Sequence, residues 1–243
     1  MTLRLDGAVP ASAVAVAAHP DDVEFGCGGT LAKWAAAGCE IAHVICTDGS
    51  KGSWDPADDL ATLVASRQVE QRAASVALGG AGAVVFLGWR DGELESGLRQ
   101  RADVCHWMRK LRPDVVLGHD PWKRYRLHPD HHHAGRLAVE GFVAARDPHF
   151  FPEQADAPHR PSHLLLWEAD EPDHVEDIGT SIDKKLAALL EHRSQYRTTM
   201  DVDDPAATEQ IERFRDKIRR RAAEAGAAEG IACAERFKLL SDL

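Results

Sequence analysis

The sequence is short of several things at once. It has two tyrosines in 243 residues, an aromatic share of 6%, no basic excess and no C-x-x-C pair. No apolar run approaches the ~20 residues of a membrane span. With 29 Lys and Arg against 39 Asp and Glu, a formal charge of −10, the chain has no surplus of cations to neutralise a phosphate backbone. A nucleic-acid partner is therefore not expected, and an anionic membrane surface is disfavoured for the same reason. The cysteines Cys27, Cys39, Cys46, Cys105 and Cys233 are scattered, which fits buried small hydrophobes in a reducing compartment rather than a disulfide or metal framework. A cytoplasmic location is the expectation. The run 9–18 follows Arg4 and Asp6 rather than a basic leader, so it reads as a buried strand and not a signal peptide. There is no internal repeat and no low-complexity tract.

What is present is an alternation. Short apolar runs suited to two-sided burial occur at 13–18, 41–47, 83–87, 115–118 and 163–167. Between and after them lie stretches of helical periodicity at 28–37, 60–78, 98–111, 131–145, 181–194 and 206–225. That pattern predicts an α/β fold, a Rossmann-like mostly parallel sheet flanked by helices, as a single domain over 1–243. The stretch 147–161 reads as a surface excursion, and the heavily charged helix 208–221 as a solvated outer layer. In such sheets ligands bind beyond the carboxyl ends of the strands. Four places qualify: 19–24 after the first strand, 47–49 after the second, 89–92 after the third and 119–133 after the fourth.

A dinucleotide site is the first candidate for a glycine-rich turn after the first strand, and it fails on two counts. Leu31 stands where G-x-G-x-x-G begun at Gly26 needs its last glycine, and Asp21, Asp22 and Glu24 would repel the pyrophosphate. Gly26, Gly28 and Gly29 are left with a plainer role, a tight strand-to-helix turn with close backbone packing.

A cation explains that negative charge better. His19 and Asp22 lie three residues apart on a loop leaving a strand, and "RLHPDHHHAG" (126–135) adds imidazoles at a helix start held open by Pro129. Two histidines and one carboxylate form the ligand set of a catalytic zinc site, and the imidazoles favour Zn²⁺ or Fe²⁺ over Mg²⁺. His131, His132 and His133 point about 100° apart around a helix, so they cannot all face one ion. At least one should face solvent, and spacing alone does not choose the ligand. Asp21, beside a ligand, is placed to take a proton from an activated water. His128 could stabilise an oxyanion or protonate a leaving amine, with Asp130 orienting it. Such an assembly suits hydrolysis of an amide or ester. His43, His106, His149, His159, His163, His174 and His192 have no carboxylate or histidine at ligand spacing.

These residues resemble the PIG-L/LmbE-type family of zinc-dependent deacetylases of N-acetylglucosamine derivatives. The match runs through "AHPDD" (18–22), "GCGGTLA" (26–32), "RQVEQRAA" (67–74), "RPDVVLGHDP" (112–121), "HPDH" (128–131), "HRSQ" (192–195) and "AERF" (234–237). The resemblance implies an LmbE-like fold, with His19, Asp22 and His131 as zinc ligands and Asp21 as general base. It makes His128 and Asp130 an oxyanion-side pair, and Arg67 and Asp91 contacts to sugar hydroxyls. The implied substrate is a small N-acetylated sugar-like molecule, and a homo-oligomer is expected. Relatives act in mycothiol and bacillithiol synthesis, chitobiose breakdown, glycolipid assembly and natural-product tailoring, and the sequence does not choose among these. Arg126 departs from the family at a position where some relatives have tyrosine, and Cys233 where an aromatic is frequent. Two alternatives stand beside the deacetylase: a zinc amidase cleaving a larger thiol conjugate, and a metal-free sugar- or nucleotide-binding module.

Overall fold

The computed structural model describes residues 8–80 and 83–241; Arg4 and Asp6 lie outside them. Strand β1 (Ser12–Ala17) puts Val14 and Val16 on one face and Ala13, Ala15 and Ala17 on the other, all buried. This is the period-two pattern of a strand covered on both sides. It pairs in parallel with β2 (Glu40–Thr47) and β4 (Val115–His119), which in turn pair in parallel with β3 (Val84–Trp89) and β5 (His163–Trp167). The full order is β3-β2-β1-β4-β5-β7-β6. Strand β7 (Ala234–Ser241) runs antiparallel to both β5 and β6 (His174–Asp177).

The parallel part and its helices match the sequence expectation, whereas β6 and β7 were not expected. The sequence "HVED" of β6 has one apolar residue, and Glu235, Arg236 and Lys238 interrupt the apolar pattern of β7. Their pairing is decided by register with β5, a contact between distant parts of the chain.

Helices α3 (Leu98–Leu111) and α4 (Pro129–Arg146) cover one face through Val104, Met108, Leu137 and Phe142. Helices α1 (Asp22–Ala36), α2 (Leu60–Ala77) and α5 (Ile182–Leu189) cover the other through Leu31, Ala74 and Ala188. Helix α1 begins at Asp22, earlier than the glycines suggested. Gly26 and Gly29 sit inside it, where a Cβ would come within 2.6 Å of the Trp167 ring and 2.7 Å of Ile178. These glycines therefore serve close packing rather than a turn, and Cys27 (φ −145°) marks an irregularity between them.

The helix expected over 181–194 ends early. Its polar tail turns through a 3₁₀ segment (Arg193–Gln195) into α6 (Tyr196–Thr199), because His192 leaves helical geometry to bury its ring against Glu24. Helix α7 (Thr208–Gly226) is more than a solvated layer: Phe214, Ile218 and Ala222, four residues apart, bury one face of it. Among the described residues no helix is long and apolar enough to cross a membrane.

Strand order reverses at β1, which feeds α1 on one face while its neighbour β4 feeds α4 on the other. The crevice beyond the carboxyl ends of β1 and β4 is where such folds bind ligands.

Candidate metal centre and catalytic cavity

Three side chains meet in that crevice. His19 Nδ1 lies 3.3 Å from Asp22 Oδ2 and 3.2 Å from His131 Nε2, and His131 Nε2 lies 3.3 Å from Asp22 Oδ1. Asp22 meets the two histidines through different oxygens, and one donor atom from each of the three residues lies within 4.8 Å of the others, compact enough to hold a metal ion. A second grouping of His19, Asp91 and His128 is also compact enough to hold a cation. The two share His19, and its hydrogen bonds separate them. His19 Nε2 faces Asp130 Oδ2 and Asp91 Oδ1, each at 3.2 Å. A ring nitrogen engaged by carboxylates fixes the tautomer and leaves Nδ1 as the donor to a metal.

The local electrostatics also call for a cation. Burial alone would lower the pKa of His19, yet Asp130, Asp22 and Asp91 raise it well above the ordinary imidazole value. Burial works to raise the Asp22 carboxyl, but the charges of His131 and His119 outweigh it and hold it well below the usual range. Asp22 therefore stays ionised, the state in which a carboxylate can bind a cation.

Asp130 differs from expectation. Its carboxylate is fully buried and accepts from Gly92 N (2.6 Å) and Leu94 N (3.3 Å) while engaging His19. It orients His19, not His128. The reason is local: Pro129 starts α4, which turns Asp130 under the sheet edge while His128 stays outside as the helix N-cap. The exposed His128 ring packs edge-on to His19 at 4.6 Å and stacks on His131 at 5.0 Å. Burial, then the charges of His19 and His131, lower its pKa.

Of the consecutive histidines, only His131 enters the triangle, and none is fully exposed. His132 lies with its ring nitrogens 3.0 Å from Pro121 O and 3.1 Å from Arg126 O, pinning the loop, and His133 bonds Ser96 Oγ at 3.2 Å.

Asp21 adopts φ 104°, a left-handed conformation that is strained for a residue with a side chain. A buried scaffold holds it there. Its N–H donates to Gln71 Oε1 at 2.9 Å, and Gln71 Nε2 donates to Glu24 Oε1 at 2.8 Å and lies 3.2 Å from His43 Nδ1. Glu24 Oε2 in turn lies 3.2 Å from His192 Nε2. Arg67, buried, donates to Pro20 O (2.6 Å) and Gly49 O (2.8 Å) and sits 3.4 Å from Asp21 Oδ2. Most of its guanidinium is thus spent on the loops around Asp21, although the side chain also lines the cavity. Asp91 is similarly committed, accepting from Lys51 N at 2.9 Å. Burial pushes the Asp21 carboxyl up to about 6, with Arg67 opposing and the Asp22 charge adding to the rise.

Sequence reasoning missed His119, Gln71 and the buried pairing of Glu24 with His43 and His192. Their partners are distant in the chain, and the one available signal was the position of His119 at the end of a strand. The Trp167 indole N–H donates to His119 Nδ1 at 3.0 Å, so the ring proton sits on Nε2, 3.3 Å from Asp22 Oδ2. The longer 3.4 Å approach of Ala18 N to that atom is then a packing contact. His119 stacks on His131 at 4.5 Å and lies outside the two groups that could hold a metal ion. Tyr125 is 85% exposed, but Arg126 turns inward, pairs with Glu168 and donates to His131 Nδ1 at 2.8 Å. With Nδ1 accepting, the proton of a neutral His131 ring sits on Nε2; ligation through Nε2 takes the other tautomer, with the proton on Nδ1, in which Arg126 no longer donates there.

The triangle opens into a cavity of about 620 Å³ that runs from His19, Asp21, Asp22 and His131 out to α7 and β7. A mostly parallel sheet with a His-Asp-His group that could hold a metal ion at its switch point, a buried carboxylate beside it and a roomy cleft defines an α/β protein with a candidate metal site. The chain belongs to the PIG-L family, described as GlcNAc-PI de-N-acetylase, which it matches over residues 14–142. It is 33% identical to the diacetylchitobiose deacetylase of Thermococcus kodakarensis over 73% of this chain and 67% of that protein. It is also 33% identical to the 1D-myo-inositol 2-acetamido-2-deoxy-alpha-D-glucopyranoside deacetylase of Streptomyces avermitilis, over 57% of this chain and 55% of that one. The chain thus spans little more than half the length of this second relative. The solved N,N′-diacetylchitobiose deacetylase of Pyrococcus horikoshii superposes with a TM-score of 0.85 at 30% identity, covering 96% of this chain and 84% of that one.

Proposed function

We propose that this chain is a metal-dependent N-deacetylase, with Zn²⁺ or Fe²⁺ held by His19, Asp22 and His131, acting on a small N-acetylglucosamine-like glycoside. The observation that carries the proposal is the preformed ligand triangle with a buried, ionisable carboxylate beside it at the inner end of the cavity. Membership of the PIG-L family and the named activities of the relatives support the choice of an N-acetyl amide over other bonds. The ion would supply Lewis-acid polarisation and a more acidic water.

The chain's own residues do the rest. Asp21, with its carboxyl raised to about 6, is ionised at neutral pH yet basic enough to take a proton from the attacking water. As the C–O bond forms at the acetyl carbonyl, His128, whose ring lies 4.6 Å from that of His19, donates an N–H to the oxyanion. When the C–N bond breaks, the nitrogen takes the proton held by Asp21, leaving acetate and a free amine. Asp130 and Asp91 keep the His19 ring in the tautomer that ligates, and Arg67 and Gln71 keep Asp21 in place.

The test is acetate release across a panel of N-acetylglucosamine conjugates, with the metal content of protein purified without added zinc. Release of acetate with about one metal per chain is expected. An amidase for larger thiol conjugates would release no acetate from this panel and would instead free the amine from parallel conjugates that carry a bulkier acyl group on the same nitrogen. Metal-free protein that stays inert on adding Zn²⁺ or Fe²⁺ would sink both enzymes in favour of a binding module.

A further inference from the structure

Beneath Asp21 lies a set of polar side chains that takes no part in the chemistry itself. Glu24, His43, Gln71 and His192 are all fully buried, and they come from α1, β2, α2 and the segment that follows α5. The Glu24 carboxylate can only accept a hydrogen bond, and the Asp21 backbone N–H can only donate one. The Gln71 amide sits between them, so it has one orientation: Oε1 towards Asp21 N at 2.9 Å and Nε2 towards Glu24 Oε1 at 2.8 Å. The same Nε2 lies 3.2 Å from His43 Nδ1, which must accept from it and so carries its own proton on Nε2. Burial lowers the His43 pKa, which suits a neutral acceptor.

The other oxygen of Glu24 belongs to His192. Its Oε2 lies 3.2 Å from His192 Nε2, and no other hydrogen bond among the described residues engages that ring, because Nδ1 has no partner. The chain bends to make this one contact. His192 (φ −79°, ψ 63°) leaves helical geometry, and the turn after it is clamped to α2 by Ser194, whose N–H and hydroxyl donate to Glu70 at 2.8 and 2.6 Å. Glu70 directly precedes Gln71. A buried imidazole–carboxylate pair is a weak source of stability, since apolar side chains of similar volume often do as well. Its use here is therefore sought in what Glu24 holds in place.

We propose that His192 is a positioning residue for the general base. Its hydrogen bond anchors Glu24, Glu24 together with His43 fixes the Gln71 amide, and Gln71 holds the Asp21 backbone at φ 104° with the side chain on the cavity wall. This inference rests on the deacetylase function proposed above and extends it to a residue that touches neither metal site nor substrate. A left-handed aspartate persists only where its surroundings over-determine it. When Glu24 loses its anchor, the Gln71 amide loses its fixed direction, and the Asp21 backbone is free to relax. A base displaced by a small distance then meets the attacking water in the wrong place.

The experiment compares His192→Gln, His192→Asn and His192→Leu with wild type. Glutamine can place an amide N–H near the position of Nε2, asparagine is too short to do so, and leucine keeps the bulk but donates nothing. Each is assayed for acetate release per metal-loaded chain, below its melting temperature. In the Asn and Leu variants kcat should fall by about 10–100-fold, the loss that goes with a displacement of about an ångström. KM and metal content should hold, and His192→Gln should recover most of kcat. In metal-free protein the Asp21 amide proton should exchange with solvent deuterium at least about tenfold faster in the Asn and Leu variants, while the amides of β1 and β4 keep their protection. If the leucine variant does not fold, the contrast between Gln and Asn carries the same test. Wild-type kcat in the Asn or Leu variant, or a Gln variant as slow as they are, overturns the positioning role and leaves the deacetylase standing. Faster exchange at Asp21 that is matched across β1 and β4 also overturns it, because that marks a general loss of stability. Absence of acetate release by wild type overturns the deacetylase itself and this inference with it.

Discussion

Asp21→Asn should remove activity and add stability, and the two effects come from the same burial. The carboxyl is 6% exposed and its pKa is raised from 3.8 to about 6, burial being the main cause. A group with a raised folded-state pKa favours the folded state below its unfolded value, and that advantage is lost as pH rises through the folded value. Wild type and Asp21→Asn should therefore be similarly stable below about pH 4. Between about pH 4 and pH 6 the variant should gain about 1.4 kcal/mol per unit, reaching up to ~3 kcal/mol, and hold that margin at higher pH. Asparagine also tolerates the left-handed backbone at φ 104°. For a chain of this length, each kcal/mol should raise the melting temperature by about 2–4 °C. Turnover should fall by about 10²–10⁴, the usual worth of a general base, with metal content unchanged because Asp21 is outside the ligand triangle. The assay is denaturant unfolding of chelator-treated protein at pH 4, 6 and 8, beside acetate release by the metal-loaded form. A variant no more stable than wild type at pH 8, or one that still turns over at the wild-type rate, refutes the assignment of Asp21 as a buried base.

Three further outcomes follow from the geometry. His131→Ala should be purified with less than about a tenth of a metal per chain, because a two-ligand remnant binds weakly; elemental analysis showing full occupancy would remove His131 from the ligand set. Gln71→Leu strands the Asp21 N–H and one oxygen of Glu24 in the interior, so stability should fall by about 2–3 kcal/mol. Its kcat should drop while metal content and KM hold, whereas a pure stability defect would leave kcat per folded, metal-loaded chain unaltered. Gly135→Ala would put a Cβ 2.6 Å from His119 O and 3.0 Å from Pro121 N, both backbone atoms. Lifting α4 off β4 should cost about 1–3 kcal/mol and weaken metal binding by separating His131 from His119; unaltered melting and metal titration would contradict that packing.

The legibility of the sequence varied with the range of the interactions involved. The five parallel strands were readable because each is a short apolar run whose burial on both faces is written into its own residues. The antiparallel β6 and β7 were not, since "HVED" and "AERFKLLS" become strands only by pairing with β5 and with each other. Helix α7 shows the same limit within one element. Its charge is plain in the sequence, but the burial of Phe214 and Ile218, and the facing of Lys217 and Arg221 into the cavity, depend on what packs beside it.

The same division runs through the site. The sequence by itself determined the donor chemistry: His19, Asp21 and Asp22 on one loop and a run of histidines at a helix start, which called for a cation where a phosphate might have been expected. Only the tertiary structure decided which atoms meet. It singled out His131 by its direction around α4, turned Asp130 onto His19 instead of His128, and brought Gln71, Glu24 and His192 beneath Asp21. It also brought His119 beside Asp22. A ligand set needs particular residue types, which one stretch of chain can supply. Its geometry needs atoms within a few ångströms of one another, and here His131 comes from 112 residues beyond His19, so only the packing of the sheet and its helices could bring them together.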